Sequence, residues 1–180
     1  MKIKFQEIPP LDFISGNFRL WDETWLLLTC GDFSLGKYNA MVVSWGSFGI
    51  LWNKPMAMVV VRPTRYTYEF LNAFETFSLC VFSEKYRRAL NLLGSTSGRD
   101  SDKIKASGLT PIASPSIAAP IFKEAELVFE CRKMYWEDLD PKHFLDADIE
   151  KNYPEKDYHR MVLGEVVRVF GDEQKFSREK

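Results

Sequence analysis

Asn39-Ala40-Met41-Val42-Val43-Ser44-Trp45-Gly46 is the stretch on which the reading of this chain turns. Its apolar and β-branched residues predict a strand over Tyr38–Trp45 that ends in small, hydroxyl and indole groups. Two short, polar, cationic segments lie downstream. They are Val61-Arg62-Pro63-Thr64-Arg65-Tyr66-Thr67 and Ser97-Gly98-Arg99-Asp100-Ser101-Asp102-Lys103, and each leads into a predicted helix. Together the three segments have the chemistry to hold a flat aromatic ring with a phosphate tail.

Working outward, five further stretches read as strands by β-branched and aromatic content: Trp25–Cys30, Met56–Arg62, Phe77–Phe82, Leu127–Tyr135 and Met161–Phe170. In Leu127–Tyr135, Phe129, Cys131 and Tyr135 alternate with Glu130 and Arg132, which predicts one buried and one wet face. Met56–Val61 is apolar on both parities and is expected to be buried on both faces. Thr67 is expected to cap a short helix carrying Phe70, Leu71 and Phe74. Ser83 is expected to cap Glu84–Leu93, with Gly94 as its stop. Ser101 or Asp100 can cap Asp102–Ser107, ended by Gly108, and Asp140-Pro141 marks a weaker start. Thr110–Pro120 reads as a surface loop. Many strands with a few short helices predict a mainly β protein, a barrel with helical insertions, because strict β-α-β alternation is absent.

The chain has 180 residues and a formal net charge of -1, so one domain is expected, with no electrostatic reason to bind nucleic acid or an anionic membrane. The aromatic share of 14% suits core and interface, and also a planar ligand. Cys30, Cys80 and Cys131 form no CxxC pair and are expected as buried apolar residues. His143 and His159 lack metal-ligand spacing, so no metal site is expected. The N-terminus lacks a signal-peptide apolar region and no apolar run is long enough for a bilayer helix. The expectation is a protein of a reducing compartment, the cytoplasm.

The candidate chemistry is read residue by residue. A helix N-terminus offers free backbone N–H groups to phosphate. Thr67 stands at one predicted start behind Arg62 and Arg65, and Ser97, Gly98 and Arg99 precede another. Gly98 permits close backbone approach and an arginine fork binds phosphate bidentately. The alternative is a solvated loop pairing Arg99 with Asp100 or Asp102. Trp45 either covers one face of a planar ligand or packs in a core or dimer interface. Asn39 either contacts a ring edge or serves a turn. Lys103, one residue into its helix, opposes the helix dipole, a local conflict that favours function over a plain surface charge. His159 either takes part in chemistry or is structural. There is no GxGxxG after a strand, so the chain has no nicotinamide-binding fingerprint of its own.

The segments Asn39–Gly46, Lys54-Pro55, Val61–Thr67, Ser97–Lys103 and Gly108-Leu109-Thr110 resemble flavin reductase-like proteins with an FMN-binding split barrel, most closely the flavoredoxin-type branch. The late His159 with Leu163-Gly164-Glu165-Val166 fits the same pattern. The resemblance implies a split β-barrel of Greek-key-like connectivity that binds FMN noncovalently, as a homodimer. It implies that Asn39, Val43, Ser44, Trp45 and Gly46 line the ring and ribityl chain. By the same carry-over Arg62, Arg65, Tyr66 and Thr67 hold the phosphate end, while Ser97, Gly98, Arg99 and Lys103 close the site. His159 and Lys103 would stand nearest the chemistry. Where the family often has threonine, this chain has Val42, and the region Tyr135–Pro154 varies within such proteins.

Two functions of different class follow from the resemblance. One is an oxidoreductase that passes electrons from NAD(P)H or a protein donor through FMN to a small acceptor or free flavin. The other is an FMN carrier or electron-transfer module with no substrate of its own. A split barrel holding another planar cofactor, pyridoxal phosphate or haem, is the remaining alternative.

Overall fold

The computed structural model describes residues 6–177. Among these the strands are β1 Gln6–Ile8, β2 Leu26–Asp32, β3 Lys37–Val43, β4 Gly46–Leu51, β5 Lys54–Val61, β6 Thr76–Val81, β7 Pro111–Ile112, β8 Ile121–Phe122, β9 Leu127–Asp138 and β10 Arg160–Gly171. The helices are α1 Asn17–Arg19, which runs into a π turn over Leu20–Thr24, α2 Tyr66–Ala73, α3 Arg87–Ser95, α4 Lys103–Ser107 and α5 Glu173–Phe176. The protein is mainly β with short helices, as the sequence predicts.

Eight strands form one antiparallel sheet in the order β3-β2-β6-β9-β10-β5-β4, with β1 paired to the far half of β10; β7 and β8 make a separate ribbon. Alternate residues such as Leu28, Val43, Val59, Leu79, Phe129 and Val162 all point into one cluster. Strands from both ends of the order thus share an interior, and β3 comes into contact with β5. That is a sheet curled on itself, with the period-two pattern facing inward. Its outer face over β2, β6 and β9 is covered by a second cluster in which Leu90 and Leu93 of α3 and Ile104 of α4 meet Leu27, Cys80 and Val128. Fully burying each such side chain contributes about 1.5–3 kcal/mol. This second layer holds α3 and α4, and hence Gly94–Lys103, in place over β3. Among the described residues no helix is long and apolar enough to cross a membrane.

Several expectations are corrected. Gly46–Leu51 is a strand beyond the six expected, and it pairs with β5 through a hairpin whose turn residues Trp52 and Asn53 have φ of 51° and 58°. Only one face of β5 is buried: Ala57, Val59 and Val61 point inward while Met56, Met58 and Val60 are half-buried. Glu130 is not on a wet face but fully buried, because the Thr110–Pro120 segment lies over β9 and the Ser114 hydroxyl donates to Glu130 Oε1. That segment is therefore not merely a surface loop; it carries β7, and Ile117 and Ala119 are buried in it.

The helix ends also differ. Thr67 lies inside α2, whose N-cap is Arg65 without a side-chain cap. Ser83 precedes a 3-10 turn over Glu84–Tyr86 and makes no cap bond, and α3 runs through Gly94 to Ser95. Gly94 is no stop; it lies against Val42 of β3, where an added Cβ would make ordinary contact at 3.4 Å. Asp102, rather than Ser101 or Asp100, caps α4 by accepting from the Lys105 N–H at 3.0 Å. Gly108 ends α4 at φ 75°, and Asp140 accepts from the Lys142 N–H, both as expected. Cys30, Cys80 and Cys131 are buried on strands, and burial raises the thiol of Cys80 to about 12, which keeps it protonated.

Candidate functional site

The predicted residues divide between two clefts. The smaller, about 260 Å³, is lined by Val43, Ser44, Trp45, Arg62, Arg65 and His159. The larger, about 1020 Å³, includes Asn39, Tyr66, Gly98, Arg99 and Lys103. Gly46, Thr67 and Ser97 line neither. A Cβ on Gly46 would come within 2.5 Å of the Trp21 ring, so this glycine admits Trp21 to the interior. Ser97 Oγ instead accepts from the Arg99 backbone N–H at 3.2 Å.

Asn39, which lines the larger cleft, and Thr67, which lines neither, are bonded to each other. Asn39 on β3 is buried, and its Nδ2 donates to the buried Thr67 Oγ1 on α2 at 2.8 Å. A Cβ on Gly98 would meet Asn39 Oδ1 at 2.4 Å, so the absence of a side chain at Gly98 accommodates this amide.

Two cations converge on the same helix end. Arg65 donates to the Gly94 carbonyl at 2.6 Å. Lys103 is buried, 3% exposed, and its Nζ donates to the carbonyls of Leu93 and Thr96, each at 2.9 Å. The unpaired carbonyls at a helix C-terminus carry partial negative charge and favour both. Neither cation has a carboxylate partner among the described residues. Burial first, and then Arg65, pull the Lys103 ammonium down to about 8. Burial, then Arg62, lower Arg65 from its ordinary value. This pair lacks an anion.

The other two arginines are committed elsewhere. Arg62 pairs with Asp157 at 2.6 Å, donates to the Asn152 carbonyl at 2.7 Å and lies over the Tyr153 ring. Arg99 pairs with Glu69, not with Asp100 or Asp102, donates to the Thr64 carbonyl and lies over Tyr66. Both are partly satisfied by their own side chains before any ligand arrives.

Trp45 and His159 form the aromatic wall of the smaller cleft, with ring centroids 5.1 Å apart. Trp45 is 47% exposed, an indole face open to a ligand or a partner. His159 is buried, with Tyr153 Oη 2.8 Å from its Nδ1. Burial, then Arg62, push its pKa down to about 4 against the pull of Asp157, so the ring is neutral at physiological pH. The buried Tyr153 and the arginine partners Glu69 and Asp157 were not singled out in the sequence. The available signal for Tyr153 was an aromatic residue before proline in an otherwise acidic stretch, Asn152-Tyr153-Pro154.

A model of the flavin reductase like domain matches residues 23–178. No curated protein matches significantly. Among solved structures, an FMN-binding domain of a flavin reductases-like enzyme from Shewanella baltica OS155 superposes with a TM-score of 0.70 at 16% identity, covering 97% of this chain and 80% of that one. A protein described as a flavin reductase with split barrel domain, from Shewanella frigidimarina NCIMB 400, gives 0.66 at 21%, covering 83% and 67%. The flavoredoxin from Methanosarcina acetivorans gives 0.64 at 25%, covering 89% and 75%. The curled sheet is thus a split barrel.

Proposed function

The chain belongs to the flavin reductase-like domain family, and from that premise we propose that it is an oxidoreductase that binds FMN noncovalently. The observation that carries the reading is the Arg65–Lys103 pair, a half-buried and a buried cation that meet one helix end, Arg65 from the smaller cleft and Lys103 from the larger, with no carboxylate partner among the described residues. A phosphate monoester is the anion such a pair suits, since charged hydrogen bonds to phosphate are the strong ones. Trp45 and His159 offer a flat wall to a planar ring, and Val43 and Ser44 lie beside them. The residues present therefore fit FMN. Arg65 and Lys103 would hold the phosphate. Trp45 and His159 would flank the ring. Arg62 and Arg99 contribute less, because Asp157 and Glu69 already neutralise them.

Bound FMN would supply the redox chemistry, taking electrons from NAD(P)H or a protein donor and giving them to a small acceptor or free flavin. The chain's own part is to bind, orient and exclude water. A neutral His159 donates or accepts one hydrogen bond without adding charge, and Lys103 supplies positive potential.

The assembly we propose is a homodimer. The smaller cleft, at about 260 Å³, falls below the roughly 300 Å³ at which small-molecule sites begin, and Trp45 stands half-exposed at its edge, so a second copy would deepen it. Three free buried cysteines agree with a reducing compartment such as the cytoplasm.

The test is a visible spectrum of the purified protein with FMN, recorded before and after anaerobic addition of NADH, NADPH or a reduced ferredoxin-like protein. Bleaching by a nicotinamide supports the reductase. Bleaching by the protein donor alone supports an electron-transfer module. Failure to take up FMN overturns the reading.

A further inference from the structure

The chain between β9 and β10 is an excursion with its own core. Phe144, Tyr153 and Tyr158 pack together, with Tyr153 5.0 Å from Tyr158 and 6.0 Å from Phe144. Two 3-10 turns, Pro141–His143 and Ala147–Asn152, shape it. Arg62, just past the end of β5, clamps it at three points: the Asp157 carboxylate, the Asn152 carbonyl and the face of Tyr153. The product of that clamp is a buried tyrosine, 4% exposed, whose hydroxyl reaches His159 Nδ1 at 2.8 Å.

The direction of that bond follows from the neighbours. Burial, the largest effect, raises the pKa of the Tyr153 hydroxyl, and Asp157 adds to it, against the lowering by Arg62 and the His159 backbone, so the hydroxyl keeps its proton. A tyrosine hydroxyl can donate or accept, but if Nδ1 carried the ring proton the buried Tyr153 proton would have no bonded acceptor among the described residues, so donation to Nδ1 is the arrangement that satisfies both groups. An Nδ1 that accepts places the ring proton on Nε2. No protein group bonds Nε2 among the described residues, and it is not among the buried unpartnered atoms, so it opens to the smaller cleft that His159 lines.

We propose that Tyr153 is a positioning residue: it holds His159 as the neutral Nε2–H tautomer and so presents a fixed hydrogen-bond donor beside Trp45, for a carbonyl oxygen or ring nitrogen of the ligand. The proposal deepens the flavin reading and rests on it for the ligand's class. It concerns a residue of the excursion, not of the three segments that carry the family pattern. The Arg62 clamp then has a purpose in the site although its guanidinium is spent: it holds the tyrosine that orients the histidine.

The experiment is long-range ¹H–¹⁵N correlation of the imidazole rings in the ligand-free protein at neutral pH, with His143→Gln to assign the two histidines. Wild type is expected to show His159 as Nε2–H. Tyr153→Phe, which keeps the ring packing and the arginine contact, is expected to give a mixture of tautomers. Tyr158→Phe, which removes the neighbouring hydroxyl bonded to Glu150, is expected to leave Nε2–H intact. The same Tyr153→Phe change should weaken FMN binding by about 2–10-fold, the worth of one neutral hydrogen bond. An Nδ1–H tautomer in wild type, or an unchanged pure Nε2–H tautomer in Tyr153→Phe, overturns the proposal. Because the spectra are taken without ligand, their outcome does not depend on whether the functional reading holds.

Discussion

Asn39 and Thr67, 28 residues apart in sequence, are joined by a buried 2.8 Å hydrogen bond from the asparagine amide to the threonine hydroxyl. The bond ties β3 to α2, and Gly98 of the third segment lies against the asparagine amide. The three sequence segments therefore meet in one contact even though their side chains face two clefts.

Gly98→Ala tests that contact. The added methyl would stand 2.4 Å from Asn39 Oδ1, so either the amide rotates away from Thr67 or the loop shifts. Overpacking of this kind costs about 1–3 kcal/mol. Urea unfolding should show a loss in that range, and FMN affinity should fall with it.

Lys103 gives a pH signature. A phosphate monoester is largely dianionic above roughly pH 6. Lys103 loses its proton near 8, so affinity for FMN should hold steady around neutrality and decline as pH rises through that value. Lys103→Met should bind roughly 10–100-fold more weakly at neutral pH, the worth of a charge-assisted hydrogen bond, and lose the alkaline decline. Fluorescence titration at a series of pH values reads both.

His159 gives a second signature, in stability. Its folded pKa, about 4, lies below the ordinary 6.5, so between those values the unfolded chain binds the extra proton. Stability present above pH 6.5 is therefore lost as pH falls toward 4, by up to about 3 kcal/mol from this group. Asp157, Asp138 and Glu7, whose pKa values are also lowered, tilt the curve the same way. The His159 share is the difference between wild type and His159→Gln, which cannot titrate, in denaturant unfolding across that window.

Arg99 should matter less than its place in the motif implies. Its pair with Glu69 is solvent-exposed on both sides, and such pairs contribute about 0–1 kcal/mol. Arg99→Ala should change FMN affinity by less than about threefold, well short of the Lys103→Met effect, because its charge is already matched. A loss as large as that of Lys103→Met would return Arg99 to the phosphate site.

The six strands predicted from sequence are present with ends shifted by a few residues, since β-branched and aromatic runs such as Phe77–Phe82 mark a pleated, buried segment, although Met56–Val61 shows that an apolar run does not report how many of its faces are buried. The strand Gly46–Leu51 was illegible because its two glycines look like loop, and its hairpin turn uses Trp52 where glycine or asparagine is the usual signal. Lys103 could not be read as buried from its own segment. Its environment comes from α4 docking on α3, and the carbonyls it meets belong to residues 10 and 7 positions away. The acidic partners that occupy Arg62 and Arg99 lie 95 and 30 residues distant, beyond any local pattern. Motif and position were legible; which cations remain free for a ligand was a property of the packed molecule.

The most direct test compares FMN with riboflavin, which has the same ring and no phosphate, by fluorescence titration of the wild-type protein and of Lys103→Met. The account predicts saturable FMN binding, much weaker riboflavin binding, and near-equal weak binding of both to the variant. Equal affinity of the wild type for FMN and riboflavin, or no binding of either, would contradict it.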